Sequence, residues 1–145
     1  MNIVFKIRPA KLSDCSATQR LGRLPEISIA PNYYLPLAYY QGVIKGGHIF
    51  FVAEANKKII GFCIAEKLVA GYLEQYIAVA KPYRQHGVGR ALLKKMEEEA
   101  AKRGAYYVLG YAVTKSPGIN KLLKEFGYQS SHVTREWSKD LRRLI

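Results

Sequence analysis

The sequence predicts an α+β fold built on a mixed sheet, and three observations predict it. Three β-rich runs, 48–53, 59–68 and 72–79, follow one another with only short breaks. A helical repeat then begins at Val88, and a strand, a helix and a last strand succeed it. A doubly wound dinucleotide fold would alternate strands and helices from the start, which this chain does not do. At 145 residues the chain has the length of one domain, 1–145, and buries about two-thirds of its unfolded surface around a single core.

Ile3 to Arg8 alternates apolar and polar residues as a half-buried strand does, and Pro9 ends it. Ser13 or Asp14 caps a helix towards Gly22, with Leu12, Ala17 and Leu21 on its buried side. Residues 23–47 are less regular, with Pro25, Pro31 and Pro36 and the pairs Tyr33-Tyr34 and Tyr39-Tyr40, and read as a loop before a short helix over about 35–44. The runs 48–53 and 59–68 flank the polar turn 54–58, where Asn56 suits positive φ, so they form an antiparallel hairpin. After Ala70-Gly71 comes the strand 72–79, rich in aromatic and β-branched residues. From Val88 the positions Val88, Leu92, Met96 and Ala100 fall four apart, Glu98 with Lys102 and Glu99 with Arg103 pair on the other side, and Gly104 stops the helix. Residues 106–113 make a strand, 116–126 a helix with Pro117 in its first turn, and 128 to about 137 the last strand or two before a basic tail.

Composition narrows the function classes. The chain is 49% hydrophobic and 23% charged, which is that of a soluble globular protein. No apolar run approaches the roughly 18 residues that span a bilayer, and residues 1–8 lack the order of a signal peptide, so a cytoplasmic protein is expected. Cys15 and Cys63 lie in a helix and a strand and read as buried thiols. His48, His86 and His132 show no ligand spacing with a cysteine or each other, so no metal site is expected. The formal charge of +12 attracts anions without naming one, since coenzyme A, nucleic acid, an acidic protein and an anionic membrane all gain from the same field. No aromatic-basic RNA motif or zinc-finger spacing supports nucleic acid directly.

The segment with the most chemistry lies between strand 72–79 and the helix from Val88. It reads Lys81-Pro82-Tyr83-Arg84-Gln85-His86-Gly87-Val88-Gly89-Arg90. The first turn of a helix leaves N–H groups unpaired at the positive end of its dipole, which makes an anion site. Gly87 and Gly89 let a diphosphate approach the backbone, and Arg84 and Arg90 add forked donors. By itself such a turn is also an ordinary tight connection. The dinucleotide fingerprint fails because Leu92 stands where a third small residue belongs, and no Gly-Lys-Ser or Gly-Lys-Thr phosphate loop is present.

With its flanks, the segment resembles the GNAT acetyltransferase superfamily, whose signature is Arg or Gln, two residues, Gly, one residue, then Gly or Ala. Arg84, Gly87 and Gly89 match it, and Ile7-Arg8-Pro9-Ala10 with Asp14 and the later Phe126-Gly127-Tyr128 look like the same family in the expected order. The resemblance implies a mixed, mostly antiparallel sheet flanked by helices, and acetyl transfer from acetyl-CoA to a primary amine by direct attack. The N–H groups of Gln85, His86, Gly87, Val88, Gly89 and Arg90 are then expected to hold the pyrophosphate. The backbone of Ile77 and Val79 is expected to pair with the pantetheine arm between splayed strands. A catalytic glutamate occurs in some members near Glu74. Adjacent strand residues face opposite ways, so Glu74 is either a base on the acceptor side or, the more ordinary outcome, a solvent-facing carboxylate. The tyrosine that many members place five residues before the final aromatic falls on Leu123, which makes Tyr111 the substitute acid, with a core or pocket-lining role as its alternative. The acceptor site falls to the tyrosine-rich segment, Tyr33 and Tyr34 foremost, with Tyr39, Tyr40 and Trp137 open to the same role or to packing. The acceptor stays open among a small molecule, a peptide N-terminus and a protein lysine. So does the oligomeric state, a homodimer included. A non-catalytic acyl-CoA-binding module docking on an anionic partner is the second reading.

Overall fold

A computed structural model describes residues 2–24, 27, 33–112, 117–135, 137, 139 and 141–142. The contacts divide the chain into two compact units, Met1–Tyr111 and Ala112–Ile145.

The first unit carries a five-stranded sheet in the order β1-β2-β3-β4-β5. Its strands are β1 (Lys6–Pro9), β2 (Ile49–Ala55), β3 (Lys58–Leu68), β4 (Gly71–Val79) and β5 (Tyr107–Gly110). The first three pairings are antiparallel, and β4 pairs with β5 in parallel. Asn56 and Lys57 both take positive φ in the turn between β2 and β3, a geometry that matches the right-handed twist of the flanking strands.

Alternation along β3 sorts the two faces. Phe62 and Ile64 point to a core shared with Phe50, Val52, Ala78, Cys15, Tyr40 and Val43. This face is covered by α1 (Cys15–Leu21) and α2 (Leu37–Lys45). Tyr40 packs edge-on to Phe62 with ring centroids 5.9 Å apart. The opposite face receives α3 (Val88–Lys102), whose buried residues Val88, Leu92, Leu93, Met96 and Ala100 realise the four-residue repeat of the sequence. α3 approaches closely over Gly61: a Cβ there would stand 2.9 Å from the Ala78 carbonyl oxygen and 3.3 Å from Val88 and Leu92. Gly104, at φ 84°, follows the end of the helix as expected.

Asp14 departs from its expected role. Its side chain does not cap α1; a 3-10 turn, Leu12–Asp14, precedes the helix instead. The carboxylate takes a forked pair from Arg8, Nη1 at 2.7 Å and Nη2 at 2.9 Å, and the Lys11 N–H at 2.7 Å. Arg8 also donates Nε to Glu54 at 3.0 Å. The guanidinium holds the Asp14 carboxyl below its usual range. Cys15 and Cys63 are buried thiols, as expected.

The second unit contains α4 (Pro117–Glu125), ended by Gly127 at φ 84°. The strand expected over 128–137 is not formed among the described residues there, and Trp137 is exposed. The strand expected over 106–113 is shorter, stopping at Gly110, and 113–116 lie outside the described residues.

Candidate active site

The register of β4 creates the site. Ala80 donates its N–H to the Ile60 carbonyl at 2.8 Å, and Phe62 faces Ala78 two residues further on. In an antiparallel pair every second residue is bonded to the partner, so Ala78 and Tyr76 bond to β3 while Ile77 and Val79 aim their N–H and C=O groups away from it. On that far side β5 accompanies β4 only from Gly71↔Tyr107 to Glu74↔Gly110. β5 ends at Gly110, so among the described residues no strand pairs with the outward groups of Ile77 and Val79, which leaves a gap on that side.

The gap runs to the start of α3. Lys81–Tyr83 forms a 3-10 turn that Pro82 favours, and Gln85 and Gly87 follow with φ of 63° and 83°. Gly87 is the N-cap of α3, and no side chain caps the helix. A Cβ built on Gly87 meets nothing within 4 Å, so this end of the helix opens on clear space. Arg84, Gln85, His86, Gly87 and Arg90 are exposed, whereas Val88 is buried and anchors the turn. Orphan N–H groups, the dipole and this opening fit a diphosphate. Arg84 is partly committed elsewhere: its Nε donates to the Val79 carbonyl at 2.9 Å.

Glu74 corrects the expectation of a solvent-facing carboxylate. It is 5% exposed. The cause is a β-bulge: Tyr76 faces Ile64 but Glu74 faces Ala65, so Gln75 has no partner on β3. The extra residue shifts the alternation by one, which places Glu74 on the α3 face with Cys63 instead of on the face of Tyr76. Oε1 finds no hydrogen-bond partner among the described residues, and burial pushes the carboxyl up to about 7. Burial, with the Glu74 charge second, pushes the Cys63 thiol well up too. Glu74 is the last residue of β4 to pair with β5, so it stands at the vertex of the gap. Tyr111 directly follows Gly110, the partner of Glu74 there. It is 71% exposed, so neither core packing nor an enclosed pocket accounts for it.

The expected aromatic acceptor site divides. Tyr40 is fully buried, its hydroxyl lacks a partner among the described residues, and burial pushes it up to about 12. Tyr39 donates to Glu66 at 2.8 Å and stacks edge-on against Tyr76, 5.9 Å between centroids. Both serve packing. Tyr33 and Tyr34 are half-buried ahead of α2. Leu123, at the usual place of the acid, is buried within α4. The bulge at Gln75 is the part of the site the sequence did not disclose, since its composition is that of an unbroken strand. A cavity of about 510 Å³ lined by Arg8, Ile44, His48, Phe51 and Arg103 lies at the β1 edge, across the sheet from the gap.

The family model for the acetyltransferase (GNAT) domain matches residues 46–130. The chain belongs to the GNAT family. Over 153 residues it is 30% identical to an N-alpha-acetyltransferase of Sulfurisphaera tokodaii, covering 94% of this chain and 87% of the relative. Among solved structures it resembles the ribosomal-protein-S18-alanine N-acetyltransferase of Escherichia coli, with a TM-score of 0.76 and 19% identity over 89% of this chain and 80% of that one. It also resembles yncA of Salmonella typhimurium, a putative acetyltransferase solved with acetyl-CoA, with a TM-score of 0.77 and 18% identity over 88% and 81% of the two chains. This GNAT chain is therefore an N-acetyltransferase that uses acetyl-CoA. No helix among its described residues is long and apolar enough to cross a membrane.

Proposed function

We propose that this GNAT enzyme acetylates the α-amine of a polypeptide N-terminus, and that the gap between β4 and β5 is where transfer takes place. The gap is the observation that carries the site: among the described residues, outward backbone groups, an uncapped helix start and a buried carboxylate converge there. The acceptor class draws on the relative that matches nearly the full chain, an N-alpha-acetyltransferase. The family match runs across both compact units, which supports reading the chain as one catalytic domain.

Acetyl-CoA enters with its diphosphate on the N–H groups of 85–90 and its pantetheine arm along Ile77 and Val79. An outward N–H of β4 polarises the thioester carbonyl, an effect worth roughly 3 kcal/mol of barrier in preorganised sites. The neutral amine attacks the carbonyl carbon; the N–C bond forms, the C–S bond breaks, and the thiolate leaves. Glu74 takes the proton of the amine, directly or through water. Its position near neutrality lets it hold and release that proton at ordinary pH. Tyr111, beside the vertex, is the candidate donor to the thiolate. Tyr33 and Tyr34 line the approach of the acceptor, where half-buried rings with polar tips suit an ammonium group.

The test is thiol release from acetyl-CoA with three acceptors: a peptide with a free N-terminus, the same peptide blocked there but carrying lysine, and a small primary amine. Turnover confined to the first, with mass spectrometry placing the acetyl group on the α-nitrogen, is the expected result. Modification of lysine alone would overturn the acceptor class. CoA binding without turnover on any amine would favour the non-catalytic reading.

A further inference from the structure

The end of the sheet opposite the cofactor gap gathers residues that are distant in sequence. Arg103, just past α3, donates Nη1 to the Gly47 carbonyl at 2.7 Å and also interacts with Tyr72. Tyr72 is the register partner of Lys67. The Lys67 N–H donates to His48 Nδ1 at 3.0 Å. The next turn joins the same band, because Tyr106 donates its N–H to the Ala70 carbonyl at 2.8 Å and the Tyr107 hydroxyl donates to the Val69 carbonyl at 2.9 Å. Lys45 ends α2 beside Gly46-Gly47, and Lys102 ends α3 beside Arg103.

Charge in this band is unbalanced. Lys45, Lys67 and Lys102 are exposed, and none has an ion-pair partner among the described residues. The nearby carboxylates are already engaged, Glu99 with Arg103 at 3.0 Å, Glu98 with Lys95 at 4.0 Å rather than with Lys102, and Glu66 with Tyr39. Next to the lysines stand two of the most exposed apolar side chains of the first unit, Val69 at 92% and Tyr106 at 89%. Unpaired cations along a surface track phosphates, and a bare aromatic ring beside them takes an unstacked base. An anionic membrane would use the cations equally but gains nothing from the planarity of Tyr106. The length of α3, about 1.5 Å per residue, sets this band roughly 20 Å from Gly87, so it is separate from the diphosphate site.

We propose that this band, Lys45, Lys67, Lys102 and Arg103 with Tyr106, is a docking surface for single-stranded nucleic acid. No local RNA motif announces it in the sequence, because three separate segments, at 45, 67 and 102–106, supply it.

The probes are a labelled single-stranded RNA of mixed sequence and its DNA counterpart, titrated with the full chain across about 50 to 200 mM salt. The triple variant Lys45→Glu, Lys67→Glu, Lys102→Glu is expected to weaken binding more than about tenfold and to flatten the slope of log K against log salt by about 2. Tyr106→Ala is expected to weaken binding with the slope unchanged. A control that reverses as much charge elsewhere, Lys57→Glu, Lys58→Glu, Lys94→Glu, keeps the slope and affinity within about threefold. CoA binding and the thermal midpoint of each variant report that it is folded. The proposal is overturned if the control loses as much affinity as the band variant, which would make net charge the cause. It is also overturned if the folded band variant binds like wild type, or if vesicles containing phosphatidylserine, and not either nucleic acid, show the band-dependent binding.

Discussion

The two halves of β4 have the same neighbour on one side and different fates on the other. Gly71–Glu74 is paired to β3 and β5 at once, whereas from Ile77 to Val79 the strand is paired to β3 alone. An open edge inside a sheet leaves backbone donors and acceptors without strand partners, which a fold ordinarily avoids; here Arg84 covers only the Val79 carbonyl among them. The open stretch leads to a helix start that no side chain caps. The lesson is that a ligand with amide groups at one end and phosphates at the other would complete both, adding itself to the sheet much as an extra strand would.

Glu74 marks the junction of the halves, and removing its charge should have the largest effect. Glu74→Gln is expected to lower kcat by about a hundredfold or more if it is the base, with acetyl-CoA affinity kept. The same variant has a stability signature. Burial raises this carboxyl from 4.5 to about 7, so between those values the folded protein holds a proton that the unfolded chain has released. Stability therefore falls as pH rises through that window, by roughly 3 kcal/mol, and is flat below and above it. Urea unfolding of wild type and variant at several pH values, taken as a difference, should show this slope only in wild type.

Gly87→Glu attacks the far end of the open half. It combines a side chain at φ 83° with a carboxylate where the diphosphate belongs, and calorimetry should show CoA affinity down by about a hundredfold. Unchanged affinity would remove the helix start from the site. A proline pair then probes the alternation itself. Ala78→Pro deletes an N–H directed at β3 and should cost about 3 kcal/mol or more, while Val79→Pro deletes one directed into the gap. The second should be clearly less destabilising yet bind acetyl-CoA about tenfold more weakly. Equal destabilisation by both would mean that the outward half is not open. The smallest effect is expected away from β4: Arg8→Lys loses the fork on Asp14 and should cost about 1 to 2 kcal/mol in urea unfolding with kcat unchanged.

Most of this architecture was legible because period and punctuation are local. The hairpin turn at Asn56, the four-residue repeat of α3 and the stops at Gly104 and Gly127 each follow from residues within one turn of themselves. The turn conformation at Gly87 ahead of α3 was legible for the same reason. What escaped the sequence depends on register between strands. The bulge at Gln75 turns Glu74 inward, and nothing in Tyr72-Leu73-Glu74-Gln75-Tyr76 distinguishes a bulged strand from a regular one. Asp14 was misread for a related reason: a side chain suited to capping found a stronger partner in Arg8, brought near by the path of the chain. Tyr39 and Tyr40 sit beside each other in sequence but were drawn into the core by a helix whose buried side depends on what it packs against.

Gly61 sets a dimension that the rest of the site inherits. Because it has no side chain, Val88 and Leu92 of α3 pack directly over it, and the helix is the rigid arm between that contact and the loop at Gly87. One methyl group at this position would act like a shim under the arm. It would lift the first turn of α3 from the outward edge of β4 and change the spacing between the two ends of the ligand, which no residue in the gap could restore.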